Sequence, residues 1–272
     1  MKKFIFASIA MVASGAFAQA SGFDGFVSAG LGNNKISAEG ESDSSQTNTL
    51  RGTFSYKHAS GFGIQVDNVI DNQEMMEYKI RTSDLALHGF YRKDNYLLGL
   101  IHQTRNFKAK MEGMSMTLPI DRSFTGLEGQ YDFGPVTVYG LSAEDKIAIG
   151  EGTAIKGRTN QIELRYFFNE NLRTDLSFGA SKFSDMGGSD ESMKTKTTSI
   201  GAEYKFSNSP FSAFAKYQDL NGTFLDTKRL FVGVTFNFGN TSLKARNTSG
   251  ASLNPISVDN QLMGALGGMN PQ

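Results

Sequence analysis

Between Phe23 and Phe238, apolar and polar side chains alternate with a period of two almost everywhere. Leu50, Gly52, Phe54 and Tyr56 form one set, and Arg51, Thr53, Ser55 and Lys57 the other. Ile162, Leu164, Tyr166 and Phe168 alternate in the same way with Gln161, Glu163 and Arg165, as do Ile200, Ala202, Tyr204 and Phe206 with Glu203 and Lys205. This period puts one set on each face of a β-strand, whereas apolar residues at helical spacing are not sustained over any window in this region. The pattern predicts strands near residues 23–32, 47–58, 61–70, 84–93, 95–105, 122–132, 135–144, 158–168, 171–183, 195–206, 210–220 and 228–238. Most have the roughly nine to eleven residues that a tilted membrane-crossing strand needs, against about five or six in a soluble sheet.

The connections alternate in length. Ala59-Ser60-Gly61, Lys93-Asp94-Asn95, Phe133-Gly134-Pro135, Asn169-Glu170-Asn171 and Ser207-Asn208-Ser209-Pro210 are short and rich in turn formers. Between them, 33–46, 71–83, 106–121, 145–157 and 184–194 are long and polar, and 221–227 is shorter. Short turns at one end and long loops at the other predict an all-β, closed antiparallel transmembrane β-barrel of about twelve strands, the short turns lying in the periplasm. A soluble β-sandwich is the competing architecture; it mixes loop lengths without such alternation. Aromatic residues gather beside the short turns at Phe62, Tyr91, Tyr96, Tyr131, Phe133, Phe167, Phe168, Phe206, Phe211, Phe236 and Phe238, where an interfacial girdle would lie.

The first residues add a destination. Lys2 and Lys3 precede an apolar run from Phe4 to Val12, followed by small residues through Ala18-Gln19-Ala20. This order is that of a secretory signal peptide, residues 1–20, with a core too short to cross a bilayer as a helix; a retained anchor is the alternative. The expected division is therefore signal peptide 1–20, barrel 21–238 and C-terminal extension 239–272. Composition fits an exported barrel without proving one. The 27 basic and 27 acidic residues cancel, which gives no strong field for nucleic acid or anionic lipid, and no cysteine is present for disulfides or thiolate-bound zinc. Mean hydropathy is slightly negative, as it is for a barrel in which every second residue faces a polar lumen.

The stretch Leu230-Phe231-Val232-Gly233-Val234-Thr235-Phe236-Asn237-Phe238 resembles the terminal recognition strand of bacterial outer-membrane β-barrel proteins, and Tyr131 to Gly140 is similar to a porin hairpin. The resemblance spans roughly Phe23 to Phe238 and implies a porin-like barrel of a Gram-negative outer membrane. It implies outer-membrane lipid and the barrel-assembly machinery as partners, with Gly233, Phe236 and Phe238 as the assembly signal. Family members usually end at the aromatic residue, whereas this chain continues for 34 residues from Gly239 to Gln272. That extension is Gly/Ser/Asn-rich at first and then carries Val258, Leu262, Leu266 and Met269 at near-helical spacing behind Asp259. It is expected either as a flexible tail or as a segment docked at or inside the periplasmic mouth.

Candidate chemistry is sparse. His88 and His102 fall on consecutive strands and are expected close to opposite one another across the Asp94-Asn95 turn, within a residue or two of register, while His58 sits at a short turn. Such a pair could hold a metal or assist a serine, but no ordered Ser/His/Asn set or acidic cluster accompanies it; neither enzymatic activity nor any cofactor or metal is expected. The face opposite the apolar one carries the lumen candidates Arg51, Lys57, Asp67, His88, Arg92, Glu128, Glu163, Arg165, Arg173, Asp175, Glu203, Lys205, Lys216 and Arg229. Asp132 and Arg105 join them, Arg105 with less force because strand 95–105 is apolar on both faces near its middle. Two functions follow. One is a porin-like channel for passive diffusion of small hydrophilic or ionic solutes, with at most a mild preference for anions. The other is a closed structural or surface-interaction barrel whose inward charges pair with one another.

Overall fold

The computed structural model describes residues 22–38, 41–75, 78–111, 117–149, 153–184, 192–223, 225–238 and 242–256. Twelve strands run in chain order: β1 Phe23–Ala38, β2 Glu41–Lys57, β3 Phe62–Met75, β4 Tyr78–Lys93, β5 Tyr96–Met111, β6 Thr117–Phe133, β7 Val136–Ile149, β8 Thr153–Asn169, β9 Leu172–Ser184, β10 Met193–Lys205, β11 Phe211–Gly222 and β12 Asp226–Phe238. Each pairs antiparallel with its sequence neighbours. β12 closes on β1, from Gly25 opposite Phe238 to Ser37 opposite Asp226, and the result is a closed barrel without a free edge.

Period two decides the faces. Phe54, Ile162, Leu164, Ile200, Val232 and Val234 are exposed on the outer wall and Leu50 is half exposed there, while Thr53, Ser55, Gln161, Glu163, Arg165, Ser199 and Glu203 are buried inside. The tight turns carry the backbone strain. Asp94, Gly134 and Asn208 have φ of 50°, 63° and 55°, the left-handed region that Gly, Asn and Asp adopt most readily.

Three expectations need correction. The strands have 12 to 17 residues, and the sheet continues well into segments expected as loops: β1 and β2 run to Ala38 and from Glu41, β7 and β8 to Ile149 and from Thr153. Toward the loop end the outward residues are themselves polar, as at Lys156, Arg158 and Lys182, so the alternation fades although the ladder does not. Phe167 leaves the expected girdle: it is buried inside the barrel beside a bulge at Phe167/Asn169, and Tyr166 and Phe168 take the outer face. His88 and His102 do not meet. His88 is opposite Ile101 and His102 opposite Leu87, and this offset of one residue sends His88 inward and His102 outward.

After β12 the chain turns back into the barrel. Helix α1, Leu243–Ser249, is capped by Ser242, whose Oγ accepts from the Ala245 N–H at 3.0 Å, and an irregular stretch then runs to Ile256. The helix thus falls in the Gly/Ser/Asn-rich first part of the extension and not in the part with near-helical spacing. The near-helical pattern of Val258, Leu262, Leu266 and Met269, like the signal segment 1–20, lies outside the described residues.

Candidate functional site: the lumen and its C-terminal plug

Residues 243–256 are held by inward side chains from most of the barrel wall. Arg246 on α1 donates to Glu203 at 2.6 Å and to Asn237, and its guanidinium lies 4.6 Å from the centroid of the Phe26 ring. Gly250 rests directly on the Asp24 carboxyl group, where a β-carbon has no room. Asn247 uses its whole amide: Nδ2 donates to Thr137 at 2.8 Å and Asp132 at 3.1 Å, and Oδ1 accepts from Arg165 at 2.7 Å. Arg92 donates to the Thr248 carbonyl at 2.7 Å and the Ser252 hydroxyl at 2.6 Å, and Arg165 to the Ser252 carbonyl at 2.7 Å.

Two glutamines then treat the tail as a strand neighbour would. Gln65 accepts from the Leu253 N–H at 3.2 Å and donates to its carbonyl at 2.7 Å. Gln103 does the same for Ile256, at 2.7 Å and 3.2 Å, and Arg105 adds a bond to that carbonyl at 2.9 Å. These bonds satisfy an irregular backbone that would otherwise be buried without partners. The Leu253 and Ile256 side chains pack among Ala86, Phe90, Leu97, Ile101, Phe124, Tyr139, Leu141 and Ala143. This cluster accounts for the apolar inner face of β5, on which Leu97, Ile101, Gln103 and Arg105 point inward while Leu98, Leu100 and His102 point out.

The remaining inward charges are largely paired. Arg51 meets Asp67 at 2.8 Å, Arg165 meets Glu163 at 2.6 Å, and Arg173 meets Glu203 at 3.1 Å. Arg92 meets Asp132 at 3.2 Å, and Arg229 donates to Gln73 at 3.1 Å. His88 is wholly buried, with Nδ1 2.8 Å from Glu128 and Nε2 3.2 Å from Asp67, and the Tyr139 hydroxyl donates to Glu128 at 2.9 Å. This chain ties β3, β4, β6 and β7 together and contains no serine or cysteine nucleophile. Among the described residues, no group of three or more His, Cys, Asp or Glu side chains is arranged for a metal ion. Lys57 and Lys205 share the inward faces of β2 and β10 near the short-turn end. Nearer the loop end, Phe107, Ile147, Ile155, Phe183 and Met193 form a second apolar cluster, and Arg122 pairs with Asp145 through two bonds of 2.8 and 2.5 Å.

What stays open is one-sided. A cavity of about 250 Å³ lies between the tail and the opposite wall, against Arg51, Glu163, Arg173, Asp175, Lys216 and Arg229. The structure adds inward residues that were not among the sequence candidates: Asp24, Asp71, Asp84, Asp145, Arg122, Arg246 and the three glutamines Gln65, Gln103 and Gln130. Parity with Asp67, Arg105 and Asp132 marks the glutamines in the sequence. No pattern marks Arg246 or Asn247.

The proposed assembly residues have packing roles of their own. Gly233 lies across from Gly30 and Phe214, and the Phe214 ring covers both glycines, so a β-carbon at 233 meets that ring and the Ala29 carbonyl. Phe236 packs on Phe211 and Phe238, with centroids 5.3 and 5.7 Å apart, on the outer wall beside the short turns.

No family model matches the chain, and no curated protein matches it. Among solved structures, the translocator domain of the autotransporter NalP from Neisseria meningitidis aligns over 86% of this chain and 95% of its own, with a TM-score of 0.51 and 13% identity. The β domain of the Bordetella autotransporter BrkA aligns over 79% of this chain and 100% of its own, at 0.50 and 11%. The fold is that of an outer-membrane β-barrel. At these identities the likeness extends to the fold alone. A further match, the KdgM porin, covers 76% of this chain and 98% of its own, at a TM-score of 0.48 and 12% identity.

Proposed function

We propose that this protein is an outer-membrane channel for passive diffusion of small hydrophilic or ionic solutes, held in a constricted state by its own residues 243–256. The observation that carries the reading is the charged cavity of about 250 Å³ beside the tail, lined by Arg51, Glu163, Arg173, Lys216 and Arg229. A barrel of twelve strands lies between the smallest ones, which are filled by their own side chains, and the wide porins, so the tail decides how much of the lumen conducts. Cleavage of residues 1–20, delivery to the outer membrane of a Gram-negative bacterium and reading of Gly233, Phe236 and Phe238 by the assembly machinery belong to this proposal. No catalytic step is part of it: His58 is exposed at a turn beside Ser60, His102 bonds Thr125 on the outer wall, and His88 is held between two carboxylates.

Selectivity is expected to be slight. The carboxylates of Asp24, Asp71, Asp84 and Asp145 outnumber the added guanidiniums of Arg122 and Arg246, and they nearly cancel the basic excess among the sequence candidates. The second reading is a permanently closed structural barrel, favoured by the apolar cluster that Leu253 and Ile256 complete across the lumen. Single-channel recording in planar bilayers, on the full chain and on a chain ending at Phe238, separates the two. A channel predicts small or intermittent steps that enlarge on truncation. A silent barrel in both forms, inserted and heat-modifiable on gels, leaves the structural reading.

A further inference from the structure

Between Ser252 and Ile256 the barrel wall bonds the tail chiefly by its backbone. Arg165 donates to the Ser252 carbonyl at 2.7 Å, Gln65 brackets the N–H and carbonyl of Leu253 at 3.2 and 2.7 Å, and Gln103 and Arg105 bracket those of Ile256. Nearer the short turns, Gln130 and Arg92 donate to the carbonyls of Asn247 and Thr248 at 3.0 and 2.7 Å. Every peptide carries such groups whatever its side chains, so this wall reads the chain before it reads the sequence. Selection falls to two apolar positions. Leu253 and Ile256, three residues apart and both buried, enter one cluster with Phe90, Leu97, Ile101 and Phe124.

The occupant is separable from the site. β12 pairs with β1 and β11 along its length without help from residues 243–256, and Gln65, Arg92, Gln103 and Arg165 all belong to wall strands. The cavity of about 250 Å³ is bordered by Ala251, Ser252, Asn254, Pro255 and Ile256, so this stretch meets the wall on one side and open space on the other. The tail can therefore leave sideways without breaking a strand pair. What it vacates is a set of backbone donors and acceptors beside an apolar pocket.

We propose that this track binds peptides in trans, that residues 251–256 occupy it as a built-in mimic, and that short peptides with apolar side chains three positions apart are the solutes the channel admits. Main-chain hydrogen bonds supply the affinity, as they do when a strand is added to a sheet, and the pocket filled by Leu253 and Ile256 supplies the preference. A sugar or an inorganic ion has no paired N–H and C=O groups to offer the two glutamines. The substrate class rests on the channel reading, whereas the binding does not, and the two are measured separately.

The test uses the full chain with Leu253→Asp/Ile256→Asp, which puts carboxylates into the apolar cluster and unseats the tail with the wall intact. Gly250→Val, which drives a side chain into Asp24, is a second variant of the same kind. The probe is a fluorescent peptide with the sequence of residues 251–256, and heat-modifiable migration on gels verifies that each variant is folded. The probe is expected to bind both variants, and to bind the parent at least about tenfold more weakly, because the tethered tail competes at high effective concentration. Adding Gln65→Ala/Gln103→Ala to either variant should weaken binding at least about tenfold, as should N-methylation of the probe amides that stand for Leu253 and Ile256. Alanine in place of Ser252 and Asn254 in the probe should cost less than N-methylation does. A probe that binds neither unseated variant, or whose binding ignores the glutamines or the N-methyl groups, overturns the peptide site. Passage is read in liposomes as flux of a leucine-containing tetrapeptide against a disaccharide, the peptide crossing faster through either unseated variant. Binding without flux of either solute overturns the channel and leaves the peptide site standing. Equal flux of both solutes without binding overturns the peptide site and leaves the channel.

Discussion

Gln103, on the wall of the barrel, holds Ile256 by both of its backbone groups: the side-chain carbonyl accepts from the Ile256 N–H at 2.7 Å and the side-chain amide donates to its carbonyl at 3.2 Å. Gln65 holds Leu253 in the same manner. A side-chain amide is suited to this because it carries one acceptor and a donor side by side, as a neighbouring strand does. The consequence is that the tail is seated in one register and is not merely pressed into the lumen by Leu253 and Ile256.

From this seating comes the first prediction. Gln65→Ala/Gln103→Ala removes four hydrogen bonds to the tail, each worth about 1 kcal/mol, and leaves the Leu253 and Ile256 backbone groups wanting partners. Open-channel events in planar bilayers should become more frequent by one to two orders of magnitude, about 1.4 to 2.8 kcal/mol of shifted occupancy. Unchanged gating, with the chain ending at Phe238 conducting freely, would show that the apolar contacts alone hold the plug.

Truncation after Phe238 tests the extension as a whole. β12 already pairs with β1 and β11 along its length, so insertion and heat-modifiable migration should survive. Stability should nevertheless fall by several kcal/mol, since Glu203, Gln65, Gln103 and Arg92 lose buried partners together. Detergent or urea unfolding of the two forms measures the difference, and a truncated chain that fails to insert would make residues 239–272 part of assembly.

Strand faces, closure and the even strand number were legible because the pleat imposes period two and the outer wall is apolar where the inner one is polar. The upper halves of the strands were hidden because their outward residues turn polar there, as at Lys156, Arg158 and Lys182: Asp84, Arg122 and Asp145 are buried on correct inward parity but in or beside segments read as loops. Leu97 and Ile101, which left strand 95–105 ambiguous, and Tyr139 have a different cause. Their strands face the tail at that height, so the lumen there is an apolar core and the inner face is not polar. The plug itself was legible only as an alternative, because Arg246, Asn247 and Gln-clamped backbone leave no periodic trace.

Gly233 separates packing from recognition. Gly233→Ala forces a β-carbon against the Phe214 ring and the Ala29 carbonyl, and overpacking of this kind costs about 1 to 3 kcal/mol. Adding Phe214→Ala should recover the part due to the ring. If folding into detergent recovers in the double variant while insertion in cells does not, Gly233 is read during assembly as well as packed; recovery of both confines it to packing.

Arg122 and Asp145 give the largest single-site effect. Both are buried, joined through two bonds, and Thr159 donates to the same carboxylate at 2.7 Å. Arg122→Met leaves Asp145 charged and short of its partner, and breaking such a pair costs about 3 to 5 kcal/mol. Arg122→Met/Asp145→Leu removes both charges and should regain most of that loss, given the apolar surroundings of Phe124 and Phe183. Urea midpoints in a double-mutant cycle measure the coupling, and additive losses would mean that water in the upper lumen screens the pair.

Selectivity of the open pore provides the last prediction. In the chain ending at Phe238, Arg246 leaves with the tail, and Glu203 keeps Arg173 at 3.1 Å while Arg51 keeps Asp67 at 2.8 Å. The wall then carries nearly balanced and mostly paired charge, so the reversal potential in a salt gradient should lie near zero. Lys216 lines the cavity beside Glu163 and Arg173 on the side the tail leaves open. Its reversal to Glu shifts the local balance by two charges in a narrow lumen, where basic rings favour anions and acidic ones cations. Lys216→Glu should therefore produce a clear cation preference, while the same change at Lys57, near the short-turn end, should have a smaller effect. A strong anion preference in the truncated parent, or a Lys216→Glu pore as unselective as its parent, would place the conducting path away from this wall.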